Sequence, residues 1–165
     1  MADYNPTVLQ LVTLPNLLLS WAQATRKDAW AMEGELEIDA DLVEKFLSSL
    51  KSHDIILSFF SGAWSSDFVQ MVVQKMGSYP ARLTILGAET IYSPVALRSF
   101  AETLMGLLEK MPQREKIAFV AAKKVYFGVG GSIGDFCDAV EAKGAISKQI
   151  REESHGVRRV VIEIT

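Results

Sequence analysis

ARLTILGA at positions 81–88, ETIYS at 89–93, PVALRSFAETLMGLLEK at 94–110 and KIAFVAA at 116–122 form the stretch that decides the fold class. The first and last runs are short, apolar and bounded by turn residues, as strands buried in a sheet are. Between them, Leu97, Phe100, Ala101, Leu104 and Leu108 recur at helical spacing. Strands alternating with helices of this length predict βαβ units and a largely parallel sheet. Ligands of such sheets sit at the carboxyl ends of the strands. The loops that matter are therefore those after Phe60, Ala88 and Ala122.

Outward from this stretch the alternation continues. IILSFF at 55–60 ends at Ser61-Gly62 and reads as a buried strand, and 66–76 reads as an amphipathic helix. Residues 39–51 predict a helix with Leu42, Phe46, Leu47 and Leu50 on one stripe. Asn5-Pro6 opens the first helix as N-cap and first helical residue. Pro15 predicts a break near Thr13–Leu14, with a second helix over 15–24. Residues 25–38 are polar and mixed and read as a loop or insertion. Downstream, 132–142 is a helix after a glycine-rich loop. Residues 145–152 and 157–165 are an antiparallel pair turned through Ser154-His155-Gly156. The expected architecture is an α/β doubly wound sheet with helices on both faces and a closing antiparallel pair. The expected organisation is one domain over 1–165 with a polar, helical insertion around 25–52.

Composition bounds the function. Apolar residues at 49% and charged residues at 22% are globular values and exclude a wholly disordered chain. A net charge of −3 argues against a general nucleic-acid binder, which needs a clustered positive face. Cys137 is the one cysteine, so no internal disulfide framework or Cys-rich zinc site is expected. His53 and His155 have no partner at metal-ligand spacing, and no metal is expected. The apolar run 14–21 is too short to span a bilayer, and Asp3 stands where a signal peptide needs positive charge. An intracellular protein with a reduced thiol is expected.

Four loops carry candidate chemistry. In Ser61-Gly62-Ala63-Trp64, Gly62 permits close backbone approach and Trp64 offers a flat stacking surface, or else it covers the end of the sheet. In Glu89-Thr90-Ile91-Tyr92-Ser93-Pro94, Glu89 can accept a substrate N–H and Tyr92 can line a channel. Alternatively, Thr90 or Ser93 caps the next helix and Glu89 is merely solvated. The segment Lys123-Lys124-Val125-Tyr126-Phe127-Gly128-Val129-Gly130-Gly131-Ser132 fails as a phosphate loop. Position 133 is Ile, and no Lys-Ser/Thr pair follows Gly131. Tyr126 and Phe127 are instead expected as contacts near a site. Asp3-Tyr4-Asn5 places an acid before a helix, where capping by Asn5 suffices. Arg158-Arg159 reads as a solvated strand edge and Cys137 as core.

Taken in order, these pieces resemble a known family. Asp-Tyr-Asn at 3–5, Val-Thr-Leu-Pro-Asn at 12–16, Ser-Gly-Ala-Trp at 61–64, Ala-Glu-Thr-Ile-Tyr-Ser-Pro at 88–94 and Lys-Val-Tyr-Phe-Gly-Val-Gly-Gly at 124–131 are its marks. The series is similar to the protein-histidine N-methyltransferases of the seven-β-strand, S-adenosylmethionine-dependent class, over essentially the whole chain. Protein-lysine methyltransferases, with the same architecture and an acidic-x-x-Tyr motif, are the nearest confusable family.

The resemblance implies S-adenosylmethionine as cofactor, with Asp3 on the ribose and Tyr4 and Asn5 beside it. Gly62, Ala63 and Trp64 would lie on the adenine side. Ala88 would be a further cofactor-binding position; many relatives have an acid where this chain has Ala63, and often Ser where it has Ala88. Glu89 and Tyr92 would form the substrate-side catalytic motif, with Tyr126 and Phe127 as further substrate contacts. The implied reaction is in-line attack of an imidazole nitrogen on the sulfonium methyl. The implied substrate is a large-subunit ribosomal protein, in cytoplasm or nucleus, without direct nucleic-acid or membrane binding. The resemblance also implies that the chain starts beyond the first two strands and the glycine-rich cofactor loop of this class. That raises dimerisation through an exposed sheet edge, or a partner-binding fragment without chemistry, as alternatives.

Overall fold

The computed structural model describes residues 1–25, 30, 34–79, 82–124, 126, 128, 130–153 and 156–165. These divide into two compact units, Met1–Gly62 and Ala63–Thr165.

In the first unit, strand β1 (Ala2–Asp3) leads into helix α1 (Pro6–Val8), capped by the Asn5 side chain on the Thr7 amide. The break expected before Pro15 does not occur. Helical backbone runs on through a π-helical turn (Leu9–Thr13) into α2 (Leu14–Thr25). The Leu14 N–H reaches back five residues to the Leu9 carbonyl. That wider turn makes room for the proline ring, which would otherwise strike the carbonyl four residues before it. Helix α3 (Ala40–Ser52) is capped by Asp39. Leu18, Leu42 and Phe46 form the core of this unit, with Trp21 tilted on Phe46 at 5.4 Å between ring centroids.

The strand expected over 55–60 shrinks to β2 (Phe60–Ser61), which pairs in parallel with β1. The reason lies at the end of α3. Asp54 adopts a left-handed φ of 53°, its N–H donates to Lys51 O, and the Ile55 N–H donates to Leu50 O. This is a Schellman closure, with Asp where glycine is usual. It draws Ile55 into the helix cap and leaves Ile55 and Ile56 exposed.

The second unit holds a four-stranded sheet. Helix α4 (Ser66–Met76) precedes β3 (Leu83–Ala88), α5 (Pro94–Lys110), β4 (Lys116–Lys123), α6 (Ile133–Glu141), β5 (Ser147–Glu153) and β6 (Arg159–Ile164). The strand order is β3-β4-β6-β5. The β3–β4 pair is parallel, from Leu83 opposite Lys116 to Ala88 opposite Ala121. The β4–β6 and β5–β6 pairs are antiparallel, as expected for the closing pair. Serines 65, 93 and 132 cap α4, α5 and α6. The core joins Leu97, Phe100 and Leu104 of α5 and Phe136 and Val140 of α6 to Ala118, Val120, Val160, Ile162 and Ile164 of the sheet. The chain is thus a mixed α/β fold whose parallel pair brings the end of β3, at Ala88, opposite Ala121, two residues before β4 ends at Lys123. The predicted strand start at Ala81 and the Ser154-His155 turn lie outside the described residues.

Candidate functional site

Glu89 is the first residue past β3, and its backbone is unusual. Its φ is 54°, in the left-handed region that a side chain makes unfavourable. The Glu89 N–H still donates to Ala121 O of β4 at 2.9 Å, so the ladder extends one step while the chain turns away. A non-glycine residue keeps such a backbone only where its surroundings hold it there.

The side chain is held from two directions. The Tyr126 hydroxyl donates to Glu89 Oε2 at 2.8 Å, and Arg159 Nε donates to Glu89 Oε1 at 3.3 Å. Tyr126 Oη also accepts the Lys123 N–H at 3.2 Å, which ties the phenol to the end of β4. The Tyr126 ring lies in the core, with the Lys123 ammonium 5.7 Å from its centroid. Burial, then the hydrogen bond to Glu89, pushes the Tyr126 pKa up to about 12. The phenol therefore stays a donor at neutral pH. The Glu89 side chain remains 44% exposed. Each of its oxygens has accepted one of these hydrogen bonds, and a carboxylate has about four lone-pair sites. Acceptor capacity is left for an N–H or O–H arriving from solvent.

Two loops are locked together beside this carboxylate. A Cβ at Gly131 would lie 2.2 Å from Ile91 O and 2.8 Å from Tyr92 C. Only glycine allows the loop before α6 to lie against the loop after β3. This is the work of the Gly-Gly pair that resembles a phosphate loop without the spacing of one. Ser93 caps α5 and Ile91 is fully buried, while Tyr92 is 53% exposed. Ser93 is the cap that one reading of this loop expects, and the Glu89 carboxylate is anchored at both oxygens while staying partly exposed.

The other expected residues are placed as follows. Trp64 is half-buried, with edge contacts to Phe68 at 5.0 Å and Phe100 at 5.9 Å. Ala63 and Ala88 are exposed. In the first unit, Asp3 Oδ1 accepts the Asn5 N–H at 2.8 Å, Tyr4 is exposed, and the Gly62 N–H donates to Asp3 O. Gly62 has a φ of 148°, which glycine alone takes readily. Phe127 lies outside the described residues. Arg159 is the residue that sequence reading missed. Its basic neighbour and strand pattern suggest a solvated edge, and the link to Glu89 spans 70 positions of the chain.

These features define an α/β domain with a doubly anchored, half-exposed carboxylate at the carboxyl end of a parallel strand. No family model matches the chain. The chain is, however, similar along most of its length to proteins named histidine protein methyltransferase 1. The Saccharomyces cerevisiae protein is 34% identical over 149 residues, which cover 82% of this chain and 39% of that protein. The Schizosaccharomyces pombe protein is 36% identical over 135 residues, 81% of this chain and 38% of its own length. The Bos taurus homologue is 32% identical over 165 residues, 99% of this chain and 41% of its own. The resemblance read from the motifs therefore holds: this chain is a sequence relative of the histidine protein methyltransferases, and it spans about two fifths of their length. The crystal structure of the PH0226 protein from Pyrococcus horikoshii OT3 gives a TM-score of 0.40 at 9% identity, covering 78% of this chain and 68% of that one. The fold rests on the sheet described above rather than on that likeness. Among the described residues no helix is long and apolar enough to cross a membrane.

Proposed function

We propose that the chain carries the substrate side of an S-adenosylmethionine-dependent protein methyltransferase that modifies a histidine nitrogen. One observation supports this above the others: the Glu89 carboxylate, fixed by Tyr126 and Arg159, keeps free acceptor capacity at the strand end.

The residues present suit the cofactor's chemistry. Asp3 Oδ1 accepts the Asn5 N–H, and its second oxygen can accept a ribose hydroxyl. In the second unit, taken by itself, the half-buried Trp64 ring supplies an aromatic surface. When bound, the cofactor supplies an electrophilic methyl group. The protein supplies position and electrostatics. Glu89 accepts the N–H of the acceptor imidazole and so presents the other ring nitrogen, with its lone pair, to the methyl. An imidazole with a free pKa of about 6.5 is mostly neutral at pH 7, so Glu89 selects a tautomer rather than removing a proton before attack. Tyr92, exposed two residues before the start of α5, lines the approach. A large-subunit ribosomal protein, met in the cytoplasm or nucleus, is the proposed substrate.

Calorimetric titration of the purified chain with S-adenosylhomocysteine tests this reading, and micromolar binding is expected. A folded chain that does not bind it, yet self-associates, would replace the reading with partner binding through the β3 edge, where Leu86 is 77% exposed.

A further inference from the structure

The carboxylate at the end of β3 is not presented as a bare anion. Arg159 is paired with it at 3.3 Å, the Lys123 ammonium lies over the ring of the tyrosine that holds it, and Lys124 is one residue further along. Lys124 itself is engaged by Glu152 at 3.0 Å, which holds that carboxyl below its usual range. Among the described residues Glu89 is the acid hydrogen-bonded to Arg159, Glu153 stands opposite Arg159 on β5, and the Tyr126 phenol beneath the Lys123 ammonium is uncharged. A guanidinium and an ammonium, of Arg159 and Lys123, thus lie within the group that holds the Glu89 carboxylate.

We propose that Arg159 is a specificity-determining residue: by occupying one oxygen of Glu89 and placing a guanidinium beside it, it makes the site an acceptor for a neutral imidazole N–H and disfavours a lysine ammonium. This rests on the histidine-modifying reading above. An unpaired carboxylate attracts a cation more strongly than a neutral donor, so Glu89 by itself would favour lysine. With Arg159 in place, an ammonium docking on Glu89 meets a like charge within the same hydrogen-bonded group, and like-charge juxtaposition is a common device for rejecting a wrong partner. A neutral imidazole meets no such repulsion and needs one acceptor lone pair. Because Arg159 and Glu89 are both about half exposed, solvent screens the effect, and it is a matter of severalfold discrimination rather than absolute exclusion.

The test uses the full chain and two small probes at about pH 8, imidazole and n-butylamine. Imidazole is then largely neutral and the amine fully charged. Binding is read from the Glu89 amide and Tyr126 Cζ resonances by NMR. In the unsubstituted chain, imidazole is expected to shift these signals saturably, and n-butylammonium to do so several times more weakly. Arg159→Gln should tighten n-butylammonium by about threefold to fivefold and move imidazole by less than about twofold. Arg159→Lys, which keeps the charge, should restore the original order and controls for loss of folding. The proposal is overturned if the two probes bind the unsubstituted chain equally. It is also overturned if Arg159→Gln changes both by the same factor, or if neither probe binds. S-adenosylhomocysteine titration of the same samples separates the two ideas. Retained binding alongside failed discrimination removes only the role of Arg159, whereas lost binding in the folded chain removes the functional reading beneath it.

Discussion

At the scale of single residues, Glu89 combines an unfavourable backbone with a well-held side chain. Left-handed backbone costs an L-residue roughly 1–2 kcal/mol, and glycine escapes that cost. Replacing Glu89 with glycine or with alanine removes the same two hydrogen bonds. The glycine variant should nevertheless be the more stable of the pair by about 1 kcal/mol, the reverse of the usual order. Urea denaturation of both variants checks this, and an alanine variant of equal or greater stability would contradict the strain. Tyr126 offers a second measurement. Burial first and the Glu89 bond second hold its proton up to about 12, against an ordinary 10.0. The native state therefore keeps a proton that the unfolded chain loses, and the resulting stability is complete below pH 10 and lost as pH rises toward 12. In a ¹³C-tyrosine titration, Glu89→Gln should lower the Tyr126 midpoint only part of the way, because burial remains. An unchanged midpoint would mean that the two side chains are not bonded in solution.

At the scale of elements, the site exists because two loops are pressed together. The Gly131 position has no room for a methyl group: the obstructing atoms are backbone atoms of Ile91 and Tyr92, which cannot rotate away. Gly128, by contrast, has open space around it and a φ of 79°. Gly131→Ala should therefore cost about 2–3 kcal/mol, or lift the loop and with it the Tyr126–Glu89 bond. Gly128→Ala should cost only about 1 kcal/mol, from its backbone angle alone. Thermal melts together with the Tyr126 titration separate the two outcomes. If the two substitutions cost the same, close packing is not what Gly131 provides. The π-helical turn before Pro15 and the Schellman closure at Asp54 belong to the same scale. In each, a residue type that marks a break in sequence is absorbed by a local change of hydrogen-bond register.

At the scale of the whole molecule, β3 is an edge strand of its sheet among the described residues and carries Leu86 at 77% exposure. An apolar residue on a strand edge invites association with another chain. Leu86→Lys should leave unfolding free energy within about 0.5 kcal/mol of the original, since little buried area is lost. It should also lower concentration-dependent light scattering. A large loss of stability would show that Leu86 is covered in solution.

The βαβ core was legible in sequence because its signals are local. The 3.6-residue spacing of Leu97, Phe100, Ala101 and Leu104, the caps at Ser93 and Ser132, and the alternation of apolar runs each declare an element without reference to its partners. The candidate carboxylate was legible for the same reason, since it follows a strand that ends at Ala88. The short β2 was not, because an apolar run of six residues reads the same whether it pairs or is drawn into a helix cap. Arg159 was not legible either. It lies in a basic pair on a strand edge, and its role depends on β6 lying antiparallel to β4, with Arg159 opposite Lys123 at the end where Glu89 leaves β3. Sequence by itself determined the strands and helices of the βαβ core and which loop holds an acid. Tertiary structure alone decided which basic residue meets that acid and why two adjacent glycines precede α6. Register and loop packing join residues far apart in the chain, and no local pattern records them.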